Sequence, residues 1–127
     1  MNGYNDNIET LTLTNSNFRQ VLYTGKFAQL VVMDLKVGEE IGMEVHPSVD
    51  QFFRIEVGQA KFIIDNEEFE ATSGFAVIVP AGANHNVINV GESDLKLYTI
   101  YSPPNHPEGT IHATKADAAK AEEEEHH

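Results

Sequence analysis

The stretch that decides the fold is GFAVIVPAGANHNVIN, residues 74–89. Its apolar run, residues 75–79, has the length and composition of a buried β-strand. The run ends at Pro80-Ala81-Gly82, where proline offers no backbone N–H and glycine accepts a positive φ angle, so a tight bend is expected. His85 follows the bend and opens a second apolar segment. The pattern therefore predicts two strands joined by a turn that aims His85 inward.

Short strands are also predicted on both sides of this stretch. Residues 51–57 alternate between two faces, with Gln51, Phe53 and Ile55 on one of them, which is the period of two typical of a strand between unlike environments. Other β-rich segments, separated by turn residues, are 18–24, 28–36, 60–65, 85–90 and 95–101. Many short strands at such spacing favour an all-β sandwich or barrel.

Turn and helix signals divide the chain further. Gly58-Gln59 predicts a two-residue hairpin, and Asp65-Asn66-Glu67 predicts a second turn. No helix of convincing length is expected before residue 110, whereas residues 114–125 are rich in alanine, lysine and glutamate and predict one exposed terminal helix. We therefore divide the chain into an N-terminal arm (1–17), a barrel (18–102) and a proline-containing segment with helix and tail (103–127). His126 and His127 are excluded from the metal hypotheses below.

Composition limits the possible partners and compartments. The chain has 127 residues, a formal net charge of −12 and no cysteine. A strongly acidic protein is a poor partner for nucleic acid or an anionic membrane, and without cysteine there are no disulfides or thiolate metal sites. No stretch approaches the roughly 20 apolar residues of a membrane span. The first 15 residues lack the features of a secretory signal, so a cytoplasmic location is expected.

Four residues with nitrogen or oxygen donors lie at predicted strand starts. Glu44 and His46 are two apart in GMEVHP, so both project from one face of a strand. Gln51 opens the next strand, and His85 opens the strand after the bend. Two imidazoles and one carboxylate suit iron, manganese, nickel, cobalt or zinc. By spacing alone a structural role stays open, because a single histidine at a strand end is more often hydrogen-bonded than metal-bound.

These residues fall into a pattern that resembles the cupin family. Residues 74–89 match its second motif, G-x5-P-x-G-x2-H-x3-N, at every defined position. Residues 38–58 match the spacing of its first motif, G-x5-H-x-H-x4-E-x6-G, with Glu44 in place of the first histidine and Gln51 in place of the glutamate. The 15 residues between the motifs equal the shortest arrangement common in small microbial cupins. Together with their flanking strands, the motifs cover most of residues 28–101.

The resemblance implies both the fold and the metal site. The implied fold is a double-stranded β-helix, or jelly-roll barrel, with a short C-terminal helix. The implied cofactor is one divalent metal ion per chain, held by Glu44, His46, Gln51 and His85. The exchange of residues moves the carboxylate but keeps the net ligand charge at −1, so a bound divalent ion stays electrophilic. The resemblance also implies a homodimer, with the strand near residues 18–22 as the exchanged or packed element.

Three functions stay open at this point. The first is a metal-dependent enzyme, such as a dioxygenase, isomerase or lyase, acting on a small carbonyl, enol or sugar-like molecule, with Glu44 as candidate catalytic base. The second is a sugar isomerase-like protein, although only Arg54, Lys61 and Lys96 offer charge for a phosphate. The third is a non-catalytic module that binds or senses a small ligand.

Several remaining polar residues receive a structural interpretation first. His106 and His112 lie in SPPNHPEGTIH, which is expected to be a surface segment beyond the barrel, with closure over the barrel mouth as the alternative. Arg54 is expected to form a surface ion pair with Glu56 or Glu68. Tyr98 and Tyr101 either line the mouth or cap the core.

Overall fold

The computed structural model describes residues 2–125 and contains ten strands and two helices in that range. Their bounds are α1 Ile8–Thr14, β1 Arg19–Thr24, β2 Gln29–Leu35, β3 Glu44–Val45, β4 Asp50–Val57, β5 Gln59–Ile64, β6 Glu67–Thr72, β7 Ala76–Val79, β8 Asn84–Asn89, β9 Leu95–Ser102, β10 Ile111–His112 and α2 Lys115–Glu125. His126 and His127 lie outside the described residues.

The strands form two antiparallel sheets that enclose one core. One sheet has the order β10-β1-β2-β9-β4-β7, and the other has the order β3-β8-β5-β6. Phe53 of β4 and Phe62 of β5 join the sheets, with ring centroids 5.2 Å apart and both side chains fully buried. Along β4 the buried residues are Gln51, Phe53 and Ile55, as the alternating pattern predicted. The all-β jelly-roll prediction, with its short C-terminal helix, is confirmed.

The predicted hairpin at Gly58-Gln59 is wrong. β4 pairs with β7 and β9, whereas β5 pairs with β6 and β8, so residue 58 is a corner at which the chain passes from one sheet to the other. Gly58 has φ +105°, and a Cβ atom there would lie 2.8 Å from the carbonyl oxygen of Asp94. Glycine is needed for this crossing because both the angle and the close approach exclude other residues. The turn at Asp65, in contrast, does join two paired strands, β5 and β6.

A short helix in the N-terminal arm is a second difference from the sequence prediction. α1 is capped by Asn7, whose side-chain oxygen accepts a hydrogen bond from the backbone N–H of Thr10 at 3.0 Å. Its threonine-rich sequence has low helix propensity, which is why the pattern gave no helix signal. The cap and packing against β4 and β9 stabilise it, with Thr12 fully buried.

The segment after residue 102 is attached to the barrel. β10 adds to the edge of the six-stranded sheet, where Arg19 of β1 pairs with His112. The terminal helix is confirmed, and Thr114 accepts a hydrogen bond from the N–H of Asp117 at 3.1 Å as its N-cap. Ala118 of α2 is buried in the core, so one side of this helix is covered. Within residues 2–125 no helix has the length and apolar character that crossing a membrane requires.

Candidate metal centre

Glu44, His46 and His85 converge at one point between the sheets. Glu44 of β3 pairs directly with His85 of β8, and His46 follows two residues after Glu44. The potential ligand atoms of the three side chains all lie within 4.8 Å of one another. Oε2 of Glu44 is 3.0 Å from Nε2 of His46, and the two imidazole rings have centroids 5.3 Å apart. Residues distant in sequence therefore meet as a three-residue donor group.

The turns around these residues explain the convergence. After His46, proline at position 47 ends the short β3 strand, since it cannot continue the ladder. The bend before β8 is held to the same place, because the N–H of Gly82 donates to the carbonyl of His46 at 2.9 Å and Gly82 has φ +89°. Nδ1 of His85 lies 3.3 Å from the carbonyl oxygen of Ala83. Donation from Nδ1 to that carbonyl leaves the lone pair on Nε2, as in many metal-binding histidines.

Gln51 lies in the same part of the barrel interior. It is 2% exposed and pairs across the sheet with Tyr101, whose ring is 5.9 Å from that of His46. Its Nε2 donates to the hydroxyl of Thr99 at 3.0 Å, but its Oε1 is buried and accepts no hydrogen bond from the described residues. An unpaired buried acceptor costs about 1–3 kcal/mol, so this oxygen is suited to a ligand from outside the protein, such as a metal ion.

Electrostatics favour the metal-binding protonation states. Burial by itself raises the pKa of the Glu44 carboxyl, but the hydrogen bond with His46 and the nearby charge of Arg19 outweigh it, so the pKa lies below its ordinary value. Burial lowers the pKa of His85. Glu44 is therefore ionised and His85 neutral at pH 7, and these are the forms that coordinate a metal ion. Two imidazoles, a carboxylate and a spare amide oxygen fit a divalent transition metal.

A cavity of about 440 Å³ opens onto this donor group. Glu44 and His46 line it, whereas His85 and Gln51, each 2% exposed, do not. The remaining wall comes from Arg19, from residues 41–43 and 45, and from residues of the C-terminal segment: Asn105, His106, His112, Ala118, Ala121 and Glu122. A small molecule entering the cavity thus reaches the donor group from one side.

The placement of His106 and His112 corrects the sequence interpretation. Their segment is largely exposed, but it folds over the barrel mouth, as in the alternative interpretation, and both half-buried histidines line the cavity there. Gln29 holds the segment down: its Oε1 accepts from the backbone N–H of Asn105 and of His106, and its Nε2 donates to the carbonyl of His106 at 2.8 Å. Gln29 is fully buried, and no sequence pattern revealed that its amide satisfies a distant backbone.

Buried Tyr101 and half-buried His106 form a polar pair above the core. The Tyr101 hydroxyl lies 3.2 Å from Nε2 of His106, and Tyr101 is 2% exposed. Burial raises the pKa of Tyr101 to about 12. Burial, reinforced by the charge of Arg19, lowers the pKa of His106 to about 3. At neutral pH both groups are therefore uncharged, and the phenol can donate to the imidazole.

Arg19 is the cavity residue that the sequence analysis missed. It is 3% exposed on β1, and its guanidinium lies over the ring of Phe18, 5.3 Å from the centroid. The sequence offered no signal, because a single arginine in a β-rich segment has the same pattern inside or outside the barrel. Arg54, the arginine that the sequence suggested for anion binding, forms the expected ion pair with Glu56 at 3.5 Å. Lys61 and Lys96, the other cations considered for a sugar phosphate, pair with Glu68 and Asp34.

Comparisons with known proteins agree with this architecture. The cupin domain family matches residues 31–101. The uncharacterized protein YrkC of Bacillus subtilis is 50% identical over 123 residues, covering 92% of this chain and 66% of that protein. The uncharacterized protein L612 of Acanthamoeba polyphaga mimivirus is 43% identical over 109 residues, covering 83% and 68%. The chain thus spans about two thirds of the length of these relatives. The crystal structure of BH2720 from Bacillus halodurans superposes with TM-score 0.92 at 42% identity, covering 94% of this chain and 95% of that one.

Proposed function

The chain belongs to the cupin family, and from this premise we propose that it is a metal-dependent enzyme acting on a small oxygenated molecule. Glu44, His46 and His85 hold one divalent ion, with the amide oxygen of Gln51 as fourth ligand. The observation that carries the proposal is the convergence of the three side chains within 4.8 Å at the wall of a 440 Å³ cavity. Iron, manganese, nickel, cobalt and zinc all accept this donor set.

The division of ligands leaves one side of the site for substrate. His85 and Gln51 bind from the buried side, and Glu44 and His46 bind at the cavity wall. A bound divalent ion supplies Lewis-acid polarisation of a carbonyl or enol oxygen. Glu44 is ionised at neutral pH, and a carboxylate has two oxygens, so one can bind the ion while the other accepts a proton from the substrate. Tyr101, with its raised pKa, keeps its proton and orients His106.

Metal content tests the first half of the proposal. Protein lacking His126 and His127 is purified without chelator and measured by elemental analysis, beside His46→Ala, His85→Ala and the control His112→Ala. We expect about one equivalent in the parent and control. Both ligand variants should retain much less metal than the parent. Removing a ligand should weaken the affinity by more than the roughly 10- to 100-fold that removal of an outer hydrogen-bond partner causes. Equal metal content in all four proteins would show that the ion binds elsewhere.

Turnover tests the second half. Metal-loaded protein is incubated with β-diketones, enediols, flavonols and sugars, in parallel with Glu44→Gln, which keeps an oxygen donor but cannot take up a proton at neutral pH. We expect turnover of at least one class by the parent and retention of metal with loss of turnover in Glu44→Gln. If the loaded parent binds members of the panel and converts none, the chain is a binding or sensing module instead.

A further inference from the structure

Arg19 carries a buried positive charge with no carboxylate in ion-pair contact among the residues that the structure describes. Among the described residues no acidic oxygen lies within 4.0 Å of its guanidinium, although Arg54, Lys36, Lys61 and Lys96 each have such a partner. Nη1 of Arg19 lies 3.3 Å from Nδ1 of His112, the guanidinium lies close to the Tyr101 hydroxyl, and the buried Nε has no hydrogen-bond partner among the described residues. In a chain with net charge −12, a buried cation without a carboxylate partner in the described part of the chain is unusual. Burying an unpaired charge is costly, which indicates a partner from outside the chain.

The position of Arg19 defines where that partner binds. Arg19 lines the same cavity as Glu44 and His46, on the wall formed by β1 and β10. A divalent ion and Arg19 together outweigh the two carboxylates, Glu44 and Glu122, that line this cavity, and Glu122 is exposed. The cavity then keeps excess positive charge in a region of low dielectric, where an anion is strongly favoured.

The other wall residues indicate the kind of anion. Ile41, Met43, Ala118 and Ala121 give the cavity apolar surface that suits a carbon skeleton. The polar contacts available beside Arg19 come from Asn105, His106 and His112, and no second arginine or lysine lines the cavity within the described part of the chain. A single guanidinium matches the planar, two-oxygen geometry of a carboxylate, whereas phosphate sites collect several charges or backbone N–H groups.

We propose that Arg19 anchors the carboxylate of a small organic acid whose other oxygen function faces Glu44 and His46. This inference rests on the proposed function and narrows its substrate class to organic carboxylates. Arg19 contacts the substrate at its non-reacting end, and it fixes the orientation in which the other end approaches the metal centre. Charge-assisted hydrogen bonds at a buried site give such an anchor a large share of the affinity.

Binding of malonate, of its uncharged analogue malonamide, and of inorganic phosphate tests the anchor. Calorimetric titrations use the parent, Arg19→Met, Arg19→Lys and the matched control Arg54→Met. The control removes the second arginine of the chain, which lies outside the cavity. Each protein is measured loaded with Mn²⁺ and again after metal removal, and elemental analysis reports the Mn²⁺ content of the same samples. Circular dichroism confirms folding, and Arg19→Lys provides the comparison if Arg19→Met does not fold.

We expect malonate to bind the parent and Arg54→Met alike, and to bind Arg19→Met about ten- to hundredfold more weakly at unchanged Mn²⁺ content. Arg19→Lys should fall between, because it keeps the charge without the planar fork. Malonamide should bind all four proteins with similar weak affinity. In metal-free protein the dependence on Arg19 should persist at lower affinity.

Other outcomes separate the two proposals. If the proteins bind neither Mn²⁺ nor Fe²⁺, Ni²⁺, Co²⁺ or Zn²⁺ but malonate binding still depends on Arg19, the metal-dependent function fails and the anchor stands. If Arg19→Met binds malonate as the parent does while Mn²⁺ is retained, the anchor is refuted and the metal site stands. An equal loss of malonamide affinity would show that Arg19 only shapes the cavity. Phosphate binding that depends on Arg19 and exceeds malonate binding would overturn the carboxylate assignment.

Discussion

Replacing His106 by glutamine should reduce the acid sensitivity of the metal-free protein. The pKa of His106 in the folded chain is about 3, because the ring is buried and faces the charge of Arg19. In the unfolded chain a histidine has its ordinary value, about 6.5. Between these values the unfolded state binds a proton that the folded state does not, so the free energy of unfolding rises with pH. The contribution of His106 to stability is therefore present above about pH 6.5 and is lost progressively as the pH falls below it.

The size of the effect follows from the two pKa values. A full difference of one bound proton changes the free energy of unfolding by about 1.4 kcal/mol per pH unit. Going from pH 7 to pH 5, an unfolded pKa of 6.5 and a folded pKa far below 5 give a loss of about 2 kcal/mol from His106 alone. His85 and Glu44, whose pKa values are also lowered, act in the same direction, with Glu44 contributing only towards acid pH.

Urea unfolding followed by circular dichroism, with chelator present, measures this difference. The parent and His106→Gln are compared at pH 7 and pH 5. Any change in the hydrogen bond with Tyr101 affects the variant equally at both pH values and therefore cancels. We expect the variant to lose about 2 kcal/mol less stability than the parent over this interval. Parallel losses in the two proteins would refute the assignment of His106 as a buried neutral ring.

Four further substitutions, one of them a control, test the packing of the barrel. Gly58→Ala places a Cβ 2.8 Å from the carbonyl oxygen of Asp94 at positive φ and should lower the free energy of unfolding by about 3 kcal/mol. The control Gly38→Ala, at φ +82° with open space around the Cβ, should lower it by only about 1 kcal/mol. Thermal melts measure both effects. Asn89→Ala removes two hydrogen bonds to carbonyls and one from the N–H of residue 91 and should destabilise by about 2–4 kcal/mol in urea unfolding. Arg19→Met should leave the melting temperature unchanged or raise it, because it removes a buried charge that has no carboxylate partner among the described residues; a strong decrease would indicate a structural role for the guanidinium.

The sequence predicted those features that local chemistry specifies. Gly82 and Asn89 of the second motif behave as expected, since Gly82 adopts positive φ and the Asn89 amide bridges three backbone groups. The alternation along β4 placed Gln51 inside. The sequence pattern at Gly58 did not distinguish a corner between sheets from a hairpin, because both need a glycine there. The two structures differ only in which distant strands pair. The homodimer and the cytoplasmic location stay predictions.

The sequence could not place residues whose environment depends on partners far along the chain. His106 reaches the cavity because Gln29, 77 positions earlier, satisfies the backbone of its segment. Arg19 faces inward with Val21 in the alternation along β1, and it reaches the cavity because β1 pairs with β10 at the edge of the sheet. Proline-rich composition indicated an exposed segment, and most of it is exposed, but the sequence did not show that hydrogen bonds to the buried amide of Gln29 hold it over the cavity.

The candidate site therefore consists of two parts with different origins in the chain. The donor group, Glu44, His46 and His85 with Gln51, lies inside the matched cupin domain of residues 31–101. Arg19, His106 and His112, which shape access to it, come from segments before and after that domain and meet through the pairing of β1 with β10. If the donor group holds the ion and Arg19 anchors the substrate, as proposed, the two roles are separable: substitutions at Arg19 should change which anions bind while the metal content stays constant. On this proposal the cupin domain supplies the donor group, and the segments that enclose it supply the selectivity for the substrate.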